Sequence, residues 1–166
     1  IDGISSAQTI AICLGLIGVG LILDEAPVPI WYPAALCASF AGFALWNLPP
    51  AKIFLGDIGS VTVGFLLGWL LLQLIYAGYA VSAFILPLYY LTDATITLLR
   101  RGARGEKVWQ AHREHFYQRA IQLGKSHSSV SATIFTANVG LAGLAISAVD
   151  HPVVCLSLAA FIVGLL

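Results

Sequence analysis

Seven residues in this sequence join charge or metal affinity to a place beside an apolar run: Asp2, Asp57, Asp93, His112, Arg113, His115 and Arg119. Asp57 stands in "FLGDIGS" (Phe54–Ser60), with Gly56 before it, Gly59 after it, and then an almost unbroken apolar run to Leu72. A carboxylate there has two readings. It can cap a helix, accepting from the first free N–H groups and favoured by the positive helix end. It can also be a Mg²⁺ ligand for a phosphate substrate at a membrane surface, with the glycines letting a ligand come close to the backbone. Asp93 precedes Arg100 by seven residues, about 10 Å along a helix. An ionisable group inside an apolar segment marks a functional site by default. The structural alternative is a pair with Arg100 or with the Thr97 hydroxyl.

"VWQAHREHFYQRAIQ" (Val108–Gln122) predicts an amphipathic helix. His112, His115 and Arg119, at i, i+3 and i+7, then share a face, while Arg113 and Glu114 point elsewhere. Two histidines without a third ligand do not make a zinc site. Two imidazoles and a guanidinium instead suit an anionic group such as a pyrophosphate. The alternative is an interfacial helix with its basic residues toward lipid headgroups. Asp2, in "DGISS", reads alone as the N-cap of the first apolar segment. His127 and His151 read as ordinary loop residues. Cys13, Cys37 and Cys155 fall in apolar segments at spacings that fit no metal or disulfide pattern, and read as small buried hydrophobes.

These groups need a scaffold, and composition says which. Of the 166 residues, 59% are hydrophobic and 10% charged, where a soluble domain carries about 25% charge. Mean hydropathy is +0.91. A spanning helix needs about 20 mostly apolar residues. Ile4–Leu23, Ile30–Leu48, Ile58–Ala77, Tyr79–Leu99 (interrupted by Pro87 and Asp93) and Ser129–Val149 each fit, and Val153–Leu166 begins another. The expected fold is an all-α, polytopic membrane helix bundle: five complete spans, part of a sixth, and one long cytoplasmic loop containing the amphipathic helix. Closely spaced Gly and Ala suit helix contacts in lipid and could also serve a homodimer. Net charge is zero, and no nucleic-acid partner is expected.

Charge placement orients the bundle. All eight Lys and Arg lie in two connections: Lys52 in one, and Arg100, Arg101, Arg104, Lys107, Arg113, Arg119 and Lys125 in the other. Two spans separate them, so both lie on one face. The opposite face carries Asp24, Glu25 and Asp150. The positive-inside rule puts Asp2, Lys52, Asp57 and the 100–128 segment in the cytoplasm. A multi-pass protein of the inner (plasma) membrane follows, with its active face cytoplasmic. Apart from Asp93, the polar residues gather at that face, and none is expected mid-membrane in the first, second, third or fifth span.

The chain lacks Met, starts at Ile1 almost directly in an apolar run and stops at Leu166 inside another. It reads as the C-terminal part of a single integral-membrane domain, 1–166, with N-terminal helices missing.

"FLGDIGS" resembles the F-[ML]-G-D-x-G-S signature of the polyprenyl-phosphate N-acetylhexosamine-1-phosphate transferases (glycosyltransferase family 4). "IDGIS" (Ile1–Ser5) is similar to the end of that family's N-x-x-[DN]-G-[IL]-D-G-[LI] motif. "DATITLLRR" followed by "AHREHFYQR" (Ala111–Arg119) resembles its basic loop and histidine motif, in the form of the O-antigen-initiating (WecA-like) branch. The resemblance implies a phosphotransferase, moving a sugar-1-phosphate from a UDP-N-acetylhexosamine to undecaprenyl phosphate with release of UMP. It implies Mg²⁺ held by Asp57, with Asp57 and Asp93 catalytic. His112, His115, Arg119 and, less directly, Arg113 would bind the diphosphate, and Asp2 would lie near the nucleotide. The family's Asp-Asp motif on an earlier helix has no match here, so the isolated 166 residues are expected to be inactive. Two rivals fit less well. A transporter would place its site near the midplane, and a CDP-alcohol phosphotransferase would show a dense D-G-x-x-A-R pattern that is absent.

Overall fold

The computed structural model describes residues 2–110 and 112–166. Ile1 and Ala111, which open two of the motifs quoted above, lie outside the described residues. All regular structure among the described residues is helical: α1 (Ile4–Ile22), α2 (Trp31–Asn47), α3 (Gly56–Tyr76), α4 (Ala80–Ile85), α5 (Leu88–Ala103), α6 (Phe116–Gln122), α7 (His127–Ser147) and α8 (Pro152–Gly164). The chain is a polytopic membrane bundle. Three helices, α1, α3 and α7, are each long and apolar enough to cross a membrane. At 17 residues, α2 sits at the short end of what spans a bilayer.

The centre of the bundle is α1, which packs chiefly against α7 and α2. Small residues allow the approach. A Cβ on Gly15 would lie 2.1 Å from Leu86 Cδ2 and 3.2 Å from Ala142 Cβ. Cys13 and Val19 of α1 and Leu141 and Ala145 of α7 are fully buried in the same core. By contrast α3 packs mainly on α4 and presents Ile58, Val61, Phe65, Leu72 and Tyr76 outward. Such an apolar exterior belongs in lipid or under further helices, not in water.

Three expectations are corrected. The segment Tyr79–Leu99 is not one span but two helices. Pro87 lacks an N–H and cannot continue α4, so the chain restarts as α5. The hydroxyl of Tyr90, near the start of α5, donates to the carbonyl of Ile4 at 3.4 Å. The start of α5 is thus level with the start of α1, and the rest of α5 runs beyond it. Asp93 therefore lies near the bundle's end rather than deep in the apolar layer. Second, the interior of the spans is not free of polar groups: Gln8 on α1 and Asn138 midway along α7 are buried. Asn138 Nδ2 donates to Ile134 O within its own helix. Third, the amphipathic helix over Val108–Gln122 is only its second half, α6, for reasons visible at the site.

Candidate functional site

The starts of α1, α3 and α7 and the ends of α2 and α5 meet on the face that carries the Lys and Arg residues. Gly3 is the N-cap of α1, with φ of +78°, a conformation glycine adopts at little cost. Asp2 therefore sits one residue outside the cap and is not the cap expected. Its carboxylate reaches across the face instead. Oδ2 accepts from the Ala51 N–H at 3.1 Å, and Oδ1 lies 3.2 Å from His127 Nδ1 at the start of α7. The Asp2 carbonyl accepts from Ser131 Oγ at 2.6 Å. The Ala51 N–H, and then His127, hold the Asp2 carboxyl below the usual 3.8. The contribution of this pairing to stability is thus present above pH 3.8 and lost as pH falls through the depressed value.

Ala51 belongs to the connection that leads to Asp57. That connection is held at a second point: Ser6 Oγ donates to Asn47 Oδ1 at 2.9 Å, and Asn47 Nδ2 donates to the Ile53 carbonyl at 3.0 Å. It then enters α3 through Gly56, at φ of +67°. Leu55 is the N-cap and Asp57 lies in the first turn without a side-chain capping bond. The capping alternative for Asp57 is thus not what the geometry shows. Its carboxylate is exposed and makes no hydrogen bond or ion pair among the described residues. No group of three His, Cys, Asp or Glu side chains among the described residues could hold a metal by itself. One free carboxylate nevertheless fits Mg²⁺, which is commonly held by one or two carboxylates together with waters and substrate phosphates.

Asp93 is only 2% exposed. Its Oδ1 accepts from the Phe116 N–H at 3.0 Å and from Thr97 Oγ1 at 3.3 Å, and its Oδ2 lies 3.4 Å from His115 Nδ1. The Thr97 pairing matches expectation; Arg100 instead lies over the Phe116 ring, 5.1 Å from its centre. Asp93 thus caps the first N–H of α6 from another helix. This is why the helix starts at Phe116 and not at Val108. His112 and Arg113 precede it in non-helical backbone, and His115 is its N-cap. The helical face proposed for His112, His115 and Arg119 does not exist. The two histidines still meet, with ring centres 4.8 Å apart, and the His115 ring stacks on Tyr117 at 5.3 Å. Arg113 and Arg119 are exposed, with the Arg113 carbonyl taken by Gln122 Nε2. Burial, then the nearby Arg101 guanidinium and the adjacent His115 ring, push His112 below its ordinary 6.5; Glu114 and Glu106 oppose this.

Arg101, which reads from the sequence as one more inside cation, is a buried structural hub. It donates to the carbonyls of Lys107, Val108 and Gln110 and pairs with Glu106. Arg104 bonds Glu114, which holds Glu114 well ionised. These bonds turn the backbone back on itself after α5 and deny it helical geometry until Asp93 caps it. An apolar groove of about 600 Å³ joins the pieces. It runs along α3 past Leu55, Ser60 and Gly64, meets Gln8 of α1, and ends at Tyr90 and Tyr117. Asp57 lies between Leu55 and Ser60 in sequence, and Tyr117 stacks on His115. The groove therefore passes beside the Asp57 turn and reaches the neighbourhood of His115 through Tyr117.

Residues 1–75 match the model of "Glycosyl transferase family 4". A decaprenyl-phosphate N-acetylglucosaminephosphotransferase of Mycobacterium tuberculosis is 28% identical over 153 residues, covering 80% of this chain and 37% of that protein. A Bacillus subtilis protein named "Probable undecaprenyl-phosphate N-acetylglucosaminyl 1-phosphate transferase" is 27% identical over 131 residues, 76% of this chain and 36% of that protein. A phospho-N-acetylmuramoyl-pentapeptide-transferase of Nostoc punctiforme is 42% identical over a shorter 64 residues, 39% of this chain and 17% of that protein. The chain spans little more than a third of the length of the first two. No solved structure matches.

Proposed function

We propose that this chain, whose residues 1–75 match the glycosyl transferase family 4 model, serves a polyprenyl-phosphate N-acetylhexosamine-1-phosphate transferase. The donor is a UDP-N-acetylhexosamine and the acceptor undecaprenyl phosphate. A phosphate oxygen of the acceptor bonds to the sugar-bearing phosphorus of the donor. The bridging P–O bond breaks, and UMP leaves with the bridging oxygen. The site works at the cytoplasmic side of the inner (plasma) membrane, where a lipid-borne phosphate and a dissolved nucleotide can meet, and the product starts a cell-surface polysaccharide such as O-antigen.

Both reactants are anions, and bound Mg²⁺ would neutralise their phosphates, with Asp57 as its carboxylate ligand. The chain's own groups do the rest. Arg113, Arg119 and the histidine pair offer donors to the donor's diphosphate. Asp93 is too buried to touch substrate; its carboxylate lies 3.4 Å from His115 Nδ1. It is a positioning residue rather than the catalytic group expected. The groove along α3 takes the apolar chain of the acceptor.

The observation that carries this reading is an exposed Asp57, unpaired among the described residues, in a turn whose neighbours Leu55 and Ser60 line the same apolar groove as Tyr117, the ring that stacks on His115. It is tested in membranes from cells expressing the full gene, by UMP release from UDP-N-acetylhexosamines with Mg²⁺. Release that requires added undecaprenyl phosphate supports the reading; membranes silent with every UDP-sugar would remove it.

A further inference from the structure

We infer that His127, a residue with no assigned role, is a positioning residue of this site, acting through Asp2 on the chain segment that delivers Asp57. The inference rests on the transferase reading. Its basis is a set of bonds that join three elements at one point. Asp2, ahead of α1, is held from the α7 side by His127 Nδ1 at 3.2 Å and by Ser131 Oγ on its carbonyl. Its second carboxylate oxygen holds the Ala51 N–H. Ala51 stands six residues before Asp57 in a connection without regular structure. Within that connection the Lys52 and Ile53 N–H groups bond back to Trp46 O, and the Ile53 carbonyl is taken by Asn47. Among the described residues Asp2 is thus the one carboxylate that bonds the connection, and His127 is the one side chain that meets that carboxylate.

The bonds have a direction of control. Ser131 grips only the backbone of Asp2, and leaves the carboxylate free to turn. His127 fixes the carboxylate itself, and so fixes which oxygen faces Ala51. Removing the imidazole leaves Asp2 with one directional bond instead of two. The connection then shifts relative to α1, and with it the Asp57 turn. His127 is 45% exposed while Asp2 is 18% exposed. The pair therefore sits at the open edge of the face, where its loss would create no cavity in the bundle core. That separates a positioning effect from a collapse of the fold.

The test uses the full-length protein with His127→Ala and His127→Asn. The Asn amide nitrogen can stand where Nδ1 stands and restores the donor. The first readout needs no turnover: the rate of tryptic cleavage after the exposed Lys52 in detergent-solubilised protein. His127→Ala should raise that rate and His127→Asn should return it toward wild type. The second is the split of kinetic constants. His127→Ala should raise KM for the nucleotide sugar about tenfold, in the range seen when a ligand's outer partner is removed. The KM for undecaprenyl phosphate should stay near wild type, and His127→Asn should recover most of the loss. Unchanged cleavage in His127→Ala overturns the clamp. Faster cleavage with wild-type kinetic constants overturns its role in the site. A general fall in kcat that His127→Asn does not rescue marks His127 as merely structural and also overturns the inference. A wild type inactive with every UDP-sugar overturns the transferase reading, and the positioning role with it, whatever the cleavage rates show.

Discussion

At the scale of single residues, the face sorts its ionisable groups into those already engaged and those left open. Asp2, Asp93, Arg101, Arg104 and Glu114 are engaged with protein partners; Asp57, Arg113 and Arg119 are exposed. His112 stands between the two sets, because burial, then the Arg101 charge and the adjacent His115 ring, keep its pKa below 6.5. In the free protein the neutral imidazole is therefore favoured at pH 7. On the proposed reading, a bound diphosphate would favour the imidazolium, and binding would take up a proton. The KM for the nucleotide sugar should then rise as pH increases through the neutral range, and flatten below the depressed pKa, where the imidazolium already exists. A pH series of KM checks this, and His112→Asn should abolish the slope. The residue types that could do chemistry were legible in the sequence because apolar surroundings make every charge conspicuous. Their partners were not. The bond from Asp2 to His127 crosses 125 residues, and nothing local to "GKSHSS" marks His127 as belonging to it.

At the scale of elements, apolar length located α1, α2, α3 and α7 to within a few residues, because a bilayer sets the length of whatever crosses it. The errors fall where tertiary bonds override the local pattern. Three-residue spacing of His112 and His115 suggests a helix, but Arg101 gathers the carbonyls that such a helix would need. Asp93 then starts the helix at Phe116. The closeness of α1 to α7 was legible only as a richness in small residues. Its cost can be measured. At Gly15 an added methyl meets the buried Leu86 and the backbone-fixed Ala142 Cβ; at Gly18 it meets the terminal methyl of the half-buried Ile146, 2.3 Å away. Ile146 can rotate and Ala142 cannot. Gly15→Ala should therefore destabilise the bundle by about 1–3 kcal/mol, and Gly18→Ala by less. Thermal unfolding in detergent would show the order, and equal melting temperatures for the two variants would contradict this packing.

At the scale of the whole molecule, the placement of Lys and Arg in two connections foretold that both lie on one face. The structure brings the Lys52 connection, the end of the 100–128 segment and the start of α1 together there, through Asp2, which meets Ala51 and His127. An apolar groove opens beside the same face. This arrangement suits the proposed reaction between a lipid-borne phosphate and a dissolved nucleotide, in which Asp57 would be the uncommitted carboxylate between them. The most direct measurement is UMP release from UDP-N-acetylglucosamine by membranes carrying the full-length protein, with undecaprenyl phosphate and Mg²⁺, for wild type and Asp57→Asn. Asn keeps the size of the side chain, and the Asp57 carboxylate makes no bond among the described residues. Release by wild type should fall at least about a hundredfold in Asp57→Asn, the scale on which loss of one transition-state charge partner acts. Equal release by the two proteins would contradict the account and return Asp57 to a surface residue of the first turn of α3.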